Sequence, residues 1–323
     1  MLTVEHLATP PPDFLADEVE GYLYYKAFND AGIEDFQLGY LVVIRNGRRV
    51  AVVPYFVMRY CVNTTLPDGP LKRMLGWLRF KIACAGHPSA DFGRIDGEIS
   101  AEVLRVVNAE LFKLAAVVSY KDFAAGLPLD GFSMQPNLPV ARLDVAGDFY
   151  AGLRGSVRRE FRQRLRRAQS LRIEECGAYP REHAARIHEL YLQTHARAEM
   201  QLEKLTPQFF ANVAAISKYV LYWENDVLIG FSLLICKDRF MLGKYLGMDY
   251  ARAPKYGLYF VMMLNHVDIC VRDGYTVYQT GASSYDFKQR LGSRLIPAYI
   301  YFRHRNPLIH RMLALLMKLV AYG

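Results

Sequence analysis

Alternating apolar and polar positions divide the chain into short strands and amphipathic helices. Residues 40–60 contain two apolar, β-branched runs joined by Asn46-Gly47, a dipeptide that favours a two-residue hairpin turn. Residues 100–117 repeat apolar positions at helical spacing behind Ser100, which can cap the first turn. Strands are predicted next at 117–123 and 138–145, so the first half of the chain reads as α/β.

The second half repeats this order of elements. Two helices are predicted, over 184–198 and over 205–219, and in the second Thr206 would cap while Pro207 occupies the first turn. Residues 219–248 predict an antiparallel three-stranded meander with two polar turns. The later elements are a helix that ends at Gly274, a short strand, a short helix and a further strand, predicted over 256–274, 275–281, 285–292 and 296–305.

Both halves therefore combine a hairpin-type sheet with a helix and a further strand. The fold class predicted is α/β (α+β), with two related units of mixed, mostly antiparallel sheets flanked by helices. We expect a first unit over 1–150, an arginine-rich connecting helix over 151–174, a second unit over 175–306 and an amphipathic helix over 307–323. That last helix is expected to pack on the body of the protein; the alternative is a helix that meets a membrane surface or a partner.

Composition narrows the class of protein. A 52% hydrophobic share in 323 residues supplies a core and excludes a disordered chain. The five cysteines are scattered without CxxC spacing, which predicts free thiols in a reducing cytoplasm. No His, Cys and Asp cluster has metal-ligand spacing, so no metal is predicted. The N-terminus lacks the features of a secretory signal, and we expect a cytoplasmic location.

Positive charge is concentrated in one segment. The net charge is +8, and residues 153–172 alone carry eight arginines. Arg158, Arg162 and Arg166 represent the predicted anion-binding surface, which would attract RNA, a phosphorylated substrate, an acidic carrier protein or acidic lipid headgroups. The alternative is a solvated helix face that serves only solubility.

The order of meander, helix, strand and loop resembles the Gcn5-related N-acyltransferase (GNAT) fold. The stretches "LYLQTHARAEMQLEKLTPQFF", "FMLGKYLGMDY", "YGLYF" and "YQTGASSYDFKQRLGS" together resemble the peptidoglycan-related acyltransferase-like proteins allied to the Fem aminoacyltransferases. Such proteins also place an arginine segment between two acyltransferase-like halves, and the resemblance covers residues 35–306. It implies a tandem acyltransferase fold that passes an activated acyl group to an amine. The donor would be acyl-CoA, a carrier-protein thioester or aminoacyl-tRNA, with no tightly bound cofactor.

One departure from the family pattern concerns the donor. Members of the fold hold the CoA pyrophosphate with Gln/Arg-x-x-Gly-x-Gly/Ala at the start of a helix. The corresponding stretch here is "RAPKYG", which keeps Arg252 and Gly257 but has Lys255 where the first glycine is expected. The backbone there is less open, although a lysine at a helix N-terminus still suits an anion. This leaves room for a donor other than a small acyl-CoA.

The catalytic candidates are Lys288, Tyr245 and Asp286. Lys288, near the start of a short helix, could neutralise a phosphate or a thioester oxygen. Tyr245, between Gly243 and Gly247, could act as an acid or proton relay; the alternative is an aromatic packing residue. Asp286 could accept a proton; the alternative is a residue that stabilises the first turn of a helix. Candidates for binding the donor or substrate lie in the same stretches: Lys244, Arg252, Lys255, Gly257, Gln279, Gly281, Ser283 and Ser284.

The sequence thus predicts an N-acyltransferase whose second unit moves an acyl group from a thioester, on CoA or an acyl carrier protein, to a small-molecule or envelope-precursor amine. A first alternative is a tRNA-dependent, Fem-like aminoacyltransferase that acts on a cell-envelope precursor. A second is a non-catalytic scaffold of envelope or polysaccharide assembly that keeps the fold.

Overall fold

A computed structural model describes residues 1–61, 79–145, 147, 149–198 and 203–321. The chain divides into two units: unit 1 comprises Met1–Ala16, Ile33–Leu138 and Pro297–Gly323, and unit 2 comprises Asp17–Gly32 and Pro139–Ile296. These boundaries differ from the expected ones. The arginine-rich helix belongs to unit 2 because it packs into the core of that unit, and the C-terminal helix belongs to unit 1.

Elements of the first half follow the local sequence signals. Asn46 and Gly47 have φ angles of 52° and 74°, as a two-residue hairpin turn requires. Ser100 Oγ accepts a hydrogen bond from the Val103 N–H at 3.3 Å, which confirms the predicted cap. The elements are β1 (Leu2–Leu7), α1 (Tyr22–Asn29), β2 (Gln37–Arg45), β3 (Arg48–Cys61), β4 (Arg79–Ala85), β5 (Asp96–Gly97), α2 (Ala101–Leu114), β6 (Val117–Phe123) and β7 (Ser133–Asp144).

The predicted meander and its following helix are confirmed in the second half, but the cap at Thr206 is wrong. Pro207 begins its helix as expected, whereas Thr206 Oγ1 donates to the Ala31 carbonyl at 2.7 Å instead of accepting from the helix. The elements are α3 (Phe149–Gly152), α4 (Gly155–Arg167), β8 (Leu171–Cys176), α5 (Ala184–His195), α6 (Pro207–Asn212), β9 (Ser217–Glu224), β10 (Val227–Lys237), β11 (Phe240–Met248), α7 (Ala253–Tyr256), α8 (Leu258–Asp273), β12 (Val277–Gly281), α9 (Tyr285–Arg290), β13 (Arg294–His304) and α10 (Pro307–Ala321).

Unit 1 is built on a mostly antiparallel sheet. Strands β1, β2, β3 and β4 pair antiparallel in that order, and the short β5 adds to β3. β4 pairs in parallel with β6, and residues 299–304 of β13 run antiparallel to β6. The crossover helix α2 buries Val103, Leu104, Val107 and Leu111 in the core of this unit, which is the helical spacing that the sequence shows.

Unit 2 repeats the arrangement. β8, β9, β10 and β11 pair antiparallel, β11 pairs in parallel with β12, and β12 runs antiparallel to residues 141–144 of β7. Helix α8 makes the parallel crossover and is buried along most of its length, while α4 joins the same core through Phe161. Each unit thus has a mixed, mostly antiparallel sheet with one parallel crossover, which confirms the predicted fold class.

The cysteines with described side chains are free thiols, as the sequence predicts: Cys84, Cys176, Cys236 and Cys270. The side chain of Cys61 lies outside the described part of the chain.

Candidate functional site

Strands β11 and β12 of unit 2 separate after a short parallel stretch. Phe240–Leu242 pair with Val277–Gln279, and no further pairing between the two strands follows in the described residues. Each strand also carries a bulge at this level, with Lys244 as the extra residue on β11 and Thr280 as the extra residue on β12. A β-bulge bends its strand away from regular pairing. We call the resulting opening, between residues 243–247 and 280–281, the notch.

Two glycines of β11, Gly243 and Gly247, permit close packing beside the notch. A Cβ on Gly247 would lie 2.6 Å from the Leu190 carbonyl carbon and 2.6 Å from the Tyr191 nitrogen, so the backbone of α5 presses directly on the strand. A Cβ on Gly243 would lie 2.9 Å from Tyr278 Oη. Both positions therefore require glycine for the approach of a neighbour.

Lys244, the bulge residue, is held inside unit 2. Its side chain is 3% exposed, and its ammonium forms an ion pair with Glu20 at 2.5 Å. The same ammonium lies 5.2 Å from the centre of the Tyr24 ring. The sequence predicted that Lys244 binds the donor or substrate, but its charge is directed at a carboxylate of the 17–32 segment. Its contacts indicate a structural role, fixing that segment to the bulge.

Tyr245, the next residue, packs among aromatic rings and also donates a hydrogen bond to a carboxylate. Its ring packs edge-to-face with Tyr191, Phe209 and Phe210, at centroid distances of 6.0, 5.8 and 6.4 Å. Its hydroxyl donates a hydrogen bond to Glu203 Oε1 at 2.9 Å. An aromatic body with a carboxylate-bound hydroxyl is a suitable carrier of a proton beside the notch.

Two further polar groups lie in this region that sequence reasoning did not select. Glu203 had no local signal, because its partner Tyr245 is 42 positions away in the chain. His195 has no partner that is visible in the sequence. Its ring lies 5.7 Å from Tyr191, and its Nε2 is buried with no hydrogen-bond partner among the described residues. Burial lowers the pKa of His195, so its imidazole is neutral at physiological pH.

Lys288 lies in the predicted short helix, α9, with its ammonium buried against backbone carbonyls. The residue is 2% exposed, and its Nζ donates to the carbonyl oxygens of Thr280, Gly281 and Ala282 at 2.6, 3.1 and 3.0 Å. An ammonium has three N–H donors, and these three carbonyls match that number. This geometry does not favour direct contact of Lys288 with the acyl donor. It favours a positioning residue that holds the loop at the end of β12.

The loop that Lys288 holds contains several predicted binding residues. Gly281, Ser283 and Ser284 have φ angles of 68°, 71° and 50°, a left-handed conformation that costs energy for the two serines. Both serines are exposed. Asp286 is also exposed, in the first turn of α9, where a carboxylate complements the helix dipole.

Gln279 precedes this loop and faces the interior. It is 5% exposed, and its Oε1 accepts a hydrogen bond from Arg142 Nη2 at 3.2 Å. The contact joins β12 to β7 within unit 2 and orients the amide of Gln279 at the level where β11 and β12 separate.

The "RAPKYG" stretch does not present free cations. Arg252 Nη1 lies 2.9 Å from Glu224 Oε2, and Lys255 Nζ lies 2.8 Å from Glu224 Oε1, where the Tyr256 hydroxyl also donates at 2.6 Å. Hydrogen bonds from Lys255, Tyr256 and Arg252 lower the pKa of Glu224 to about 2. Lys255 lies within the short α7 and before α8, which corrects its predicted place at a helix N-terminus, while Gly257 (φ 61°) leads into α8.

The arginine-rich helix α4 has one buried and one charged face. Phe161 is 1% exposed and packs 5.8 Å from the Phe287 ring. Arg164 stacks 3.9 Å above the ring of Phe260, in the first turn of α8. Of the predicted anion-binding residues, Arg162 and Arg166 are exposed and Arg158 is half-buried. None of the three forms an ion pair with a described residue.

Several solved structures share the fold of this chain. The fold resembles that of FemX (11% identity, TM-score 0.55, covering 90% of this chain and 93% of that one). It also resembles L-PGS from Bacillus licheniformis (12% identity, TM-score 0.56, covering 92% and 90%) and a tandem GNAT protein from the clavulanic acid biosynthesis pathway (11% identity, TM-score 0.54, covering 95% and 99%). No curated protein matches the chain.

The fold is therefore the one seen in FemX and in the tandem GNAT protein. Residues 155–289 match the family described as acetyltransferase (GNAT) domain, and this segment contains β11, the notch and α8. Within that segment the chain is similar to a GNAT domain, which agrees with the resemblance of its sequence motifs.

Proposed function

We propose that unit 2 is an N-acyltransferase that moves an acyl group from a thioester donor to an amine, with the notch as its donor site. The observation that carries the proposal is the early end of the β11–β12 ladder inside the GNAT-matching segment. Backbone N–H groups beyond Leu242 lose their neighbouring strand there. They can bind an extended donor chain and stabilise negative charge on the thioester oxygen.

The reaction needs one proton to change place. The amine nitrogen attacks the thioester carbonyl carbon, and the carbonyl oxygen becomes negative while a C–N bond forms. The C–S bond then breaks, the amine nitrogen loses its proton, and the departing thiolate takes one up. Glu203 would accept the proton from the amine, and the Tyr245 hydroxyl, bonded to it at 2.9 Å, would relay it.

A second candidate donor, aminoacyl-tRNA, is supported by a specific pair of observations. The Glu224 carboxylate already forms ion pairs with both cations of the "RAPKYG" stretch, Arg252 and Lys255. These ion pairs compete with binding of a CoA pyrophosphate there. Arg158, Arg162 and Arg166 of α4 form no ion pair with a described residue, and Arg164 of that helix, which pairs with Glu160 at 2.7 Å, contacts the first turn of α8. A long phosphate backbone would match such a surface. The description of the tandem GNAT protein of similar fold specifies that its structure is without AcCoA. AcCoA is a thioester, so this mention favours the first donor.

The test combines donor screening with a matched pair of variants. The purified chain is supplied with acyl-CoA or with aminoacyl-tRNA and a panel of amines, and product is measured by mass spectrometry with thiol release as a second readout. Tyr245→Phe is expected to lower kcat by roughly 100-fold. Tyr150→Phe is the control, because it removes a similar hydroxyl–carboxylate bond, to Asp268 at 2.6 Å.

The outcomes separate the alternatives. Activity that depends on aminoacyl-tRNA, is lost with RNase and falls steeply with salt identifies the second donor. Equal effects of the two tyrosine variants would remove Tyr245 from the proton path. No turnover of either donor by the wild-type chain would contradict the enzyme proposal and favour a non-catalytic scaffold.

A further inference from the structure

Helix α10 exposes a row of large apolar side chains. Leu308, Met312 and Leu315 are 67%, 65% and 62% exposed, and Ile309 and Leu316 are 43% and 54% exposed. Their spacing follows the period of an α-helix, so they form one continuous face. We call these five residues the apolar face. Single exposed apolar residues are ordinary, whereas a continuous row of this size marks a contact surface.

The opposite side of α10 attaches the helix to unit 1. His310 Nε2 lies 3.2 Å from Ser133 Oγ, and its ring lies 5.8 Å from the ring of Phe302. The next turns on this side, Leu313, Ala314 and Met317, are half-buried. The sequence led us to expect a helix packed on the body. The helix does pack there, but on one side only, so the apolar face remains outward.

The charged residues of the C-terminal segment itself are all basic. From residue 294 to the end the chain has five Lys and Arg residues and no Asp or Glu. Arg311 is exposed, and the helical period places it on the flank of the apolar face. Arg303 and Arg305 lie immediately before the helix. An outward apolar face with a cationic flank is the pattern of helices that lie in the interface of a negatively charged bilayer.

We propose that α10 is a membrane-interface helix, which places the apolar face at the headgroup–acyl boundary of an anionic bilayer. Arg311 would then reach a lipid phosphate. The helix would lie along the bilayer, since no helix in the described residues is long and apolar enough to cross one. Self-association of two copies is disfavoured by the same charges, because each copy would bring its cations to the shared interface.

The experiment measures binding of the full chain to lipid vesicles. Vesicles of phosphatidylcholine alone are compared with vesicles containing about one third phosphatidylglycerol, by co-sedimentation at low and high salt. Wild-type protein is expected to bind the anionic vesicles, and this binding should weaken as the salt concentration rises. Met312→Glu/Leu315→Glu should reduce the partition coefficient roughly tenfold or more, since two buried side chains are lost from the bilayer.

The control is Ile99→Glu/Val271→Glu, which adds the same two charges at positions that are 47% and 48% exposed outside α10. Binding equal to wild type in this control supports the assignment. Hydrogen exchange of wild-type protein gives a test without variants: amides of residues 307–317 should become protected only when anionic vesicles are present.

The proposal is overturned by absence of wild-type binding to the anionic vesicles, or by equal binding of the two double variants. It is also overturned if light scattering shows a wild-type dimer that Met312→Glu/Leu315→Glu converts to monomer while neither protein binds vesicles. In that case the apolar face is an interface between copies of the chain.

Discussion

Replacing Lys288 by Met tests whether this residue positions the loop or takes part in the chemistry. The variant keeps an unbranched chain of similar length but leaves the carbonyls of residues 280–282 without their donor. Hydrogen bonds to a charged group contribute about 1.5–3 kcal/mol each. Removing the buried ammonium recovers several kcal/mol of desolvation cost, so the net loss of stability is roughly 2–4 kcal/mol.

The assay pairs stability with local hydrogen exchange and kinetics. Lys288→Met should lower the melting temperature, reduce protection of the amides in 280–284 and lower kcat/KM together. Lys113→Met is the control, because that lysine is 68% exposed and its ion pair with Glu110 should matter by less than about 1 kcal/mol. If Lys288→Met lost activity while its unfolding and its exchange remained those of the wild type, Lys288 would act directly on the reactants and the positioning role would be refuted.

Two further predictions concern the interior of unit 2. Burial lowers the pKa of His266 to about 3, whereas the pKa of a histidine in an unfolded chain is about 6.5. Between these values the unfolded chain binds a proton that the folded chain does not, so the free energy of unfolding should fall by roughly 2.3 kcal/mol between pH 6.5 and 4.5. Thermal unfolding of His266→Gln should show a shallower loss over the same range; parallel pH profiles would contradict the assignment. Gly247→Ala should cost about 1–3 kcal/mol, because its Cβ meets the backbone of Leu190, whereas Gly177→Ala, with nothing within 4 Å, should be nearly neutral in denaturant unfolding. Equal midpoints for the two alanine variants would show that α5 yields to the added methyl group.

Elements with local signals were predictable from the sequence. The Asn46-Gly47 turn requires only the left-handed preference of those two residues, and the cap at Ser100 involves an atom three positions away. The meander of β9, β10 and β11 follows from short apolar runs between polar turns. The bulge beside Gly243 was also foreseeable, since a strand glycine marks such places.

The partners of the site residues were not predictable, because they come from distant parts of the chain. Lys244 meets a glutamate 224 positions earlier, and Lys255 meets Glu224, 31 positions earlier. The sequence places cations in the right segment but does not say which carboxylate neutralises them. Lys288 is the opposite case: its acceptors are only six to eight positions away. There the left-handed conformations of residues 283 and 284 determine where the carbonyls point. A serine residue does not favour that conformation, so the sequence did not predict it.

The ion pair of Lys244 with Glu20 has a consequence for how the protein is made. The 17–32 segment leaves the ribosome early, but the strand that receives it follows 224 residues later. At about 5–20 residues per second the segment waits on the order of 10–45 s for its partner. During that time Tyr24 and Tyr25, fully buried in the finished protein, have no core to enter. A fragment limited to the family match, residues 155–289, would lack the 17–32 segment altogether. In that fragment the ammonium of Lys244 would have no carboxylate from Glu20 to pair with.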